Sequence, residues 1–303
     1  MIISDIRSFF SRVNKRRKEA ATFVSRRRYT ELLNKYNLLK DSLLIHPSPL
    51  FISPTLKWER SYTSSGRELC LFVTFSKDTE IKSYVASHIK GFLKKNVDVV
   101  LIINTENFDQ PIKNIESIPE EVAICVRENK GFDFGAWSQV MSELDFGKVD
   151  RLYWVNDSIY GPLSDESFNK LIDRVRNSKS DFIGLTFNKK YFFHLQSYFL
   201  VFNKKILKCD EFYIYMKNIM QLPIKSMVIE FYEIRLTQFL KNLGFNCESI
   251  YELKERDGAN IVYKFPRELV EIGFPYVKTR LVRDGQDEGI AAEFLPQHLP
   301  IDQ

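Results

Sequence analysis

Two stretches of the chain carry the residue types that could bind and transfer an activated sugar. The first contains Arg127, Asn129, Gly131, Asp133 and Gly135. Glycine lets backbone amides approach a phosphate or sugar closely, a carboxylate accepts hydrogen bonds from hydroxyl groups, and a guanidinium offsets the charge of a diphosphate. A tight strand-to-helix turn that needs glycine and an Asp cap would show the same pattern.

The second stretch is Asn156, Asp157 and Ser158, directly after an apolar run. A carboxylate in this position suits Mg²⁺ or Mn²⁺ that bridges the diphosphate of a sugar nucleotide, and we predict Asp157 as the metal ligand. The flanking residues do not complete a D-x-D motif. A more distant residue would therefore have to share the metal, or no metal is used. An Asx turn that opens a Gly-Pro loop is the structural alternative.

Alternating strand-like and helix-like patterns place both stretches. Short apolar runs predict strands at residues 69–75, 97–103, 122–126, 151–155 and 181–186, and amphipathic spacing predicts helices at 81–95, 136–144 and 228–243. Buried strands joined by helices predict an α/β fold with a mainly parallel, doubly wound sheet. Both polar stretches then lie at the carboxyl ends of strands, where such sheets bind ligands. Neither a P-loop nor a G-x-G-x-x-G motif is present, which disfavours an ATPase or a nicotinamide enzyme.

The positive charge is concentrated at the beginning of the chain. The net charge is +5, but residues 1–40 alone carry eleven Lys and Arg against three Asp and Glu. Apolar residues recur there at helical spacing, at Ile2, Ile6, Phe9, Phe10 and Val13. We predict a basic amphipathic helical arm that binds an anionic membrane surface; a helix packed on the protein's own core is the alternative, and nucleic acid is not an expected partner. A proline-containing linker follows, and we place the domain boundary near residue 62.

Composition indicates where the protein works. No run of about 18 apolar residues could span a membrane and the first residues do not resemble a secretory signal, so we predict a cytoplasmic protein. The four cysteines lie far apart, without the spacing of a zinc site or a disulfide framework. Peripheral attachment to a membrane surface fits both the basic arm and the predicted interior location.

Several ordered motifs between residues 68 and 280 resemble one family. They are R-E-N-K-G-F-D-F-G-A-W, Y-W-V-N-D-S-I-Y-G-P-L, D-F-I-G-L-T, H-L-Q-S-Y-F-L-V-F and Y-E-I-R-L-T-Q-F-L-K-N-L-G-F. Together they are similar to the rhamnan synthesis F family of bacterial polysaccharide glycosyltransferases. The resemblance implies a GT-A-like fold, a nucleoside-diphosphate sugar donor and a lipid-linked oligosaccharide acceptor, in the assembly of O-antigen, capsule or cell-wall glycans. It also implies that the cytoplasmic protein works at the inner face of the bacterial inner membrane, as a peripheral protein.

The resemblance marks residues in four motifs, and their roles follow from chemistry. Glu233 is the predicted catalytic base and Asp133 the reserve, because inverting transfer needs a carboxylate to accept the proton of the acceptor hydroxyl. The alternative for Glu233 is an exposed helix acid paired with a nearby Lys or Arg. Asp157 is the predicted metal ligand, and His194 could be a second ligand, a diphosphate donor or a structural residue. The predicted donor-binding residues are Arg127, Asn129, Gly131, Gly135, Asn156, Ser158, His194, Gln196 and Ser197.

The sequence thus predicts a basic arm and linker at residues 1–61 and one GT-A-like domain at residues 62–303. The predicted activity is inverting transfer of a sugar, with L-rhamnose as one candidate. Two other functions stay open, namely a non-catalytic sugar-nucleotide-binding subunit and a peripheral membrane scaffold of a polysaccharide synthase complex.

Overall fold

The computed structural model describes residues 30–31, 34–35, 37–38, 52–63, 66–189, 192–253 and 260–283. The chain divides into two compact units, Met1–Ile52 and Ser53–Gln303. In the first unit the described residues between 30 and 38 are helical, and Lys35 forms an ion pair with Glu31 one turn away. The apolar stripe predicted for the basic arm, from Ile2 to Val13, lies outside the described residues.

An eight-stranded mixed sheet forms the centre of the second unit. Its strand order is β1-β4-β3-β2-β5-β10-β7-β11. The four strands β4, β3, β2 and β5 are parallel neighbours, β10 runs antiparallel to both β5 and β7, and β11 is parallel to β7. The strands are β1 Leu56–Arg60, β2 Glu68–Phe75, β3 Asp98–Thr105, β4 Ala123–Glu128, β5 Arg151–Asn156, β6 Ile159–Tyr160, β7 Phe182–Gly184, β8 Phe187–Asn188, β9 His194–Leu195, β10 Phe199–Asn203, β11 Cys247–Ser249 and β12 Val277–Lys278.

The order of the strands creates a crevice between β2 and β5. From β2 the chain moves outward through β3 to β4, and it then returns to the other side of β2 to form β5. The connections therefore diverge at the carboxyl ends of β2 and β5. Open α/β sheets bind ligands at such a switch point.

Helices cover both faces of the sheet. They are α1 Ser83–Leu93, α2 Phe132–Glu143, α3 Asp165–Asn177, α4 Lys204–Leu207, α5 Asp210–Lys217, α6 Lys225–Val228, α7 Ile234–Asn242, α8 Ile261–Lys264, α9 Pro266–Glu271 and α10 Thr279–Arg283. A 3₁₀ turn spans Ile115–Ser117, and a π-helical turn, Ile229–Glu233, joins α6 to α7. No helix in the described ranges has both the length and the apolar content needed to cross a membrane.

Neighbouring residues of β5 show that the two faces are covered by different helices. Tyr153 packs against Phe92 of α1, which also contacts Phe168 of α3. Trp154 stacks on Trp137 of α2, with ring centroids 4.8 Å apart and planes 10° from parallel. Because successive strand residues point to opposite faces, α1 and α3 lie on one side of the sheet and α2 on the other. The predicted doubly wound, mainly parallel arrangement is confirmed.

Three strands, β1, β10 and β11, extend the sheet beyond the predicted elements. Residues Leu56–Arg60 precede the predicted boundary at residue 62, yet they form β1 and pair antiparallel with β4. On this strand Trp58 donates a hydrogen bond to Glu143 at the end of α2, at 2.8 Å. The other additions are β10, whose apolar run is inserted antiparallel between β5 and β7, and β11, which pairs parallel with β7.

Candidate functional site

The two polar stretches meet at the carboxyl end of β5. Asn156 Nδ2 donates a hydrogen bond to Asp133 Oδ2 at 2.9 Å, and Asn156 Oδ1 accepts hydrogen bonds from the amide and the hydroxyl of Ser158, at 3.1 and 2.6 Å. Asp133 lies in the first turn of α2, where the helix dipole favours a negative charge. The carboxylate and the amide thus share one side of the crevice.

Asp133 has the electrostatic properties of a proton acceptor. It is partly buried, and burial raises its pKa to about 6. The charge of Lys225 opposes this rise, while those of Asp157 and Glu233 add to it. At neutral pH the carboxylate is therefore mostly ionised, with a pKa close enough to neutrality for general base catalysis.

A local irregularity positions Glu233. It ends the π-helical turn Ile229–Glu233, and such turns are frequent at functional sites. Glu233 Oε2 accepts hydrogen bonds from the amide of Ser197, at 3.1 Å, and from its hydroxyl. Ser197 lies in the connection from β9 to β10, so this contact joins the helix to the central sheet.

Lys278 is a member of the cluster that the sequence did not predict. It lies on β12, which pairs with β6 just after the β5 stretch, and only 7% of its surface is exposed. Its Nζ donates a hydrogen bond to Ser158 Oγ at 3.0 Å and lies 4.0 Å from the centroid of the Tyr198 ring. Burial lowers the pKa of Lys278 to about 7, against the opposing effect of the Glu233 charge.

Asp157 connects β5 to β2 across the switch point. Its Oδ2 accepts hydrogen bonds from Thr74 Oγ1 and Lys82 Nζ, both at 2.7 Å, and from the Phe75 amide at 3.2 Å. The ammonium of Lys82 already supplies a cation to this carboxylate, so the surroundings of Asp157 do not fit a divalent metal well. Within the described residues no group of three or more His, Cys, Asp or Glu side chains could hold a metal. A metal at Asp157 stays a prediction.

Arg127 is engaged by the protein itself. Its side chain is completely buried. Three of its nitrogens donate to Gln139 Oε1 at 3.0 Å, Asn104 Oδ1 at 2.8 Å, the Lys130 carbonyl at 2.9 Å and Gln221 Oε1 at 3.2 Å. These contacts fasten the loop before α2 to β3 and to the segment around Gln221. These contacts give Arg127 a structural role. Its role in donor binding stays a prediction.

The glycines of the same loop allow the close approach of Gln221. Gly131 has a positive φ of 70°, and a Cβ there would lie 3.1 Å from Gln221 Cα. A Cβ on Gly135 would lie 2.9 Å from the Lys130 carbonyl oxygen and would collide with the Gln221 side chain. Asn129 continues the backbone pairing of β4, with its amide bonded to the Thr105 carbonyl at 2.9 Å. Packing therefore accounts for these residues without a ligand.

His194 and Gln196 are buried in contacts of their own. His194 Nδ1 donates to the Phe192 carbonyl at 2.8 Å. Gln196 Oε1 accepts from Thr186 Oγ1 at 2.7 Å, in a network that includes the Tyr198 hydroxyl. Neither side chain hydrogen-bonds Asp133 or Glu233 in the part of the chain that the structure describes.

Comparison with known proteins identifies the family. The model of rhamnan synthesis protein F matches residues 79–299. The chain belongs to the rhamnan synthesis protein F family. The resemblance seen in the sequence motifs is thereby confirmed, and every predicted site residue of this family member lies in the matched range.

The curated relatives of this chain align with it over only part of their own length. An uncharacterized protein, y4gN, of Sinorhizobium fredii is 31% identical over 169 residues, which cover 54% of this chain and 43% of that protein. Virulence protein VirA of Vibrio anguillarum is 25% identical over 194 residues, which cover 52% of this chain and 61% of that protein. The match therefore spans about half the length of these curated relatives. Among solved structures, 4-diphosphocytidyl-2C-methyl-D-erythritol synthase from Anaerococcus prevotii aligns with 69% of this chain and 98% of its own, at 12% identity and a TM-score of 0.37.

The structure of this family member thus unites part of the predicted set. One polar cluster, which we call the crevice cluster, contains Asp133, Asn156, Ser158, Ser197, Glu233 and Lys278. Asp157 adjoins this cluster. Lys82 and Lys225 were also missed, since an isolated lysine in a sequence carries no signal of its surroundings. The carboxylates were recognisable because they follow apolar strand-like or helical patterns.

A cavity of about 180 Å³ lies elsewhere, between α2 and α5. Ser138, Met141 and Met216 line it, and they belong to the part of α2 beyond Asp133 and to α5. Its lining includes no member of the crevice cluster, so we assign the chemistry to the cluster and not to the cavity.

Proposed function

We propose that this chain is a glycosyltransferase that moves a sugar from a nucleoside-diphosphate donor to a hydroxyl of a growing lipid-linked glycan. Family membership supports a role in the synthesis of bacterial rhamnose-containing polysaccharides such as O-antigen, capsule or cell-wall glycans. The observation that carries the proposal is the contact between Asp133 and Asn156 at the switch point of the sheet, 2.9 Å long. It places an ionisable carboxylate where open α/β sheets bind nucleotides.

The proposed reaction is a single displacement. The acceptor oxygen attacks the anomeric carbon and forms a new C–O bond, while the bond from that carbon to the diphosphate oxygen breaks. The electron pair of the broken bond goes to the nucleoside diphosphate, and the acceptor proton goes to the Asp133 carboxylate. One displacement inverts the configuration of the anomeric carbon.

Asp133 is the base in this proposal, and Glu233 has a binding role. The pKa of about 6 suits Asp133 to proton transfer at neutral pH. Glu233 is oriented by Ser197 through Oε2, so its other carboxylate oxygen can accept a hydrogen bond from a sugar hydroxyl. The sequence predicts Glu233 as the base and Asp133 as the reserve, and the present proposal gives the role of base to Asp133.

The donor would lie along the edge formed by β2 and β5. Asn156 and Ser158 face this edge from the end of β5, and both can bond sugar or phosphate oxygens. Parallel strands flanked by the antiparallel β10 support a GT-A-like interpretation of the sheet. A deoxythymidine diphosphate sugar such as dTDP-L-rhamnose is the donor that we propose first.

Sugar-nucleotide binding and transfer test the proposal separately. Thermal shift against dTDP-, UDP- and GDP-sugars should show a raised melting temperature with the true donor. Transfer should then be detected as release of the nucleoside diphosphate, with product inversion read by NMR. Asp133→Asn should lower kcat by about 10²–10⁴-fold and keep the donor-induced shift, whereas the exposed control Asp173→Asn on α3 should change neither.

Three outcomes would contradict the proposal in different ways. Failure of every sugar nucleotide to raise the melting temperature would exclude donor binding by this chain. Binding without transfer by the wild type would favour a non-catalytic sugar-nucleotide-binding subunit. Transfer that Asp133→Asn leaves unchanged would remove Asp133 as the base.

A further inference from the structure

Lys278 is a buried lysine for which the described residues supply no carboxylate partner. It is 7% exposed, and among the described residues Ser158 is its one hydrogen-bond acceptor. No Asp or Glu oxygen of the described residues lies within 4.0 Å of its Nζ. An ammonium has three N–H donors, so two remain for another partner. Burying an unpaired charge is costly unless an anion compensates it.

The ring of Tyr198 and the hydroxyl of Ser158 hold the ammonium in place. Nζ lies 4.0 Å from the ring centroid, which contributes a favourable cation–π interaction. The Ser158 hydroxyl donates onward to Asn156, which bonds Asp133. The unpaired cation is therefore fixed within the same polar network as the proposed base.

Lys225 adds a second positive charge near this point. It is exposed at the beginning of α6 and forms no ion pair or hydrogen bond with any other described residue. The helix α6 that it begins contacts α2, which carries Asp133, and its charge lowers the pKa of both Asp133 and Lys278. Lys82 differs, because its charge is already paired with Asp157.

The residues present do not fit the divalent metal ion that commonly offsets the charge of a bound diphosphate. Asp157 Oδ2 is bonded by Lys82, Thr74 and the Phe75 amide, so that oxygen is already fully used by donors. A diphosphate needs its charge offset, and this need grows as the bond to the sugar breaks. Lys278 in the crevice cluster and the nearby Lys225 form no ion pair with a carboxylate of the described residues.

We propose that Lys278, assisted by Lys225, binds the diphosphate of the sugar nucleotide and offsets the charge of the leaving group, so that transfer needs no divalent metal. The inference rests on the proposed function. The two available N–H groups of Lys278 contact diphosphate oxygens, and no proton has to move from the lysine during transfer. Binding of the diphosphate favours the charged ammonium and so opposes the effect of burial.

The test compares metal dependence with the effect of single lysines. Wild-type protein is assayed for transfer in EDTA and in Mn²⁺, and for binding of dTDP and UDP by calorimetry under the same two conditions. The variants are Lys278→Met, Lys278→Arg and Lys225→Met, with Lys179→Met at an exposed position after α3 as the control. Circular dichroism melting of each variant shows that it is folded.

The expected result is transfer at full rate in EDTA and a large loss in Lys278→Met. Removal of one preorganised donor that stabilises developing charge lowers kcat by about 10²–10³-fold. Lys278→Arg should keep part of the rate, Lys225→Met should weaken nucleoside-diphosphate binding several-fold, and the control should match the wild type. Activity that stops in EDTA and returns with Mn²⁺, or Lys278→Met with unchanged kcat, would overturn the inference while leaving the glycosyltransferase proposal intact.

The binding measurement decides the inference even if no transfer is observed. Metal-free binding of dTDP or UDP that Lys278→Met weakens at least tenfold would support the lysine site. Binding that requires Mn²⁺, or that Lys278→Met leaves unchanged, would exclude it. A folded wild type that binds neither nucleotide would also exclude it.

Discussion

Replacing Asp133 with Asn is expected to stabilise the fold at neutral pH while it abolishes most of the activity. Burial raises the pKa of Asp133 from the 3.8 of an ordinary Asp to about 6. This rise corresponds to about 3 kcal/mol of unfavourable free energy when the folded protein is ionised there. Because the carboxylate keeps partial contact with solvent, we expect a gain of about 1–3 kcal/mol for Asp133→Asn.

The sign of the effect fixes its dependence on pH. Below about pH 4 the carboxyl is protonated in both folded and unfolded wild type, so the two proteins differ least. Between about pH 4 and 6 the unfolded state loses its proton first, and the wild type becomes progressively less stable than the variant. Above about pH 6 the difference reaches its full size and stays constant.

Urea denaturation followed by circular dichroism measures this difference. Wild type, Asp133→Asn and the exposed control Asp173→Asn would be compared from pH 4 to 7.5, and comparison with the wild type cancels the titration of all other groups. In parallel, the acidic limb of the wild-type kcat/KM profile should rise with pH and be centred near pH 6, because Asp133 must be ionised to accept the proton. A stability difference that is absent, or that does not change with pH, would refute the description of Asp133 as a desolvated carboxylate.

Further predictions concern the supporting residues and the basic segment. Arg127→Met should lower the free energy of unfolding by about 2–4 kcal/mol in urea denaturation, because several buried acceptors lose their donor. Gly135→Ala should cost about 1–3 kcal/mol through collision with backbone, and Gly147→Ala, which meets only the movable Asp145 side chain, should cost less. Glu233→Gln should lower kcat/KM about tenfold or more and shift the alkaline limb of the pH profile down, because Lys278 loses a charge that raises its pKa. Charge reversal at residues 16–18 should weaken sedimentation with anionic vesicles and leave transfer to a soluble acceptor unchanged.

The parallel half of the sheet could be predicted because its strands are buried on both sides. Such strands read as continuous apolar runs, and this is how β2, β3 and β4 were recognised. The polar residues after β5 were then placed correctly at the edge of the sheet. Strand direction has no equivalent signal, so the antiparallel insertion of β10 could not be read from its apolar run.

The surroundings of several side chains could not be predicted from the sequence, because they depend on contacts between distant parts of the chain. Arg127 looked like an anion-binding residue in its own loop, but its partners Asn104 and Gln221 come from elsewhere in the sequence. Lys278 is buried because β12 pairs with β6, a contact that no local pattern indicates. The sequence pattern around Glu233 is that of an ordinary α-helix, so the π-helical turn that orients this residue could not be predicted either.

The stacked indoles of Trp137 and Trp154 belong to the same two elements, α2 and β5, that carry Asp133 and Asn156. Trp137 is one helical turn from Asp133, and Trp154 lies two residues before Asn156. Two rings in such close contact couple their electronic transitions, so their absorption and emission depend on their separation and mutual angle. With only three tryptophans in the chain, this pair gives the molecule a native optical probe, and movement of α2 as a substrate enters could be followed in real time without a label.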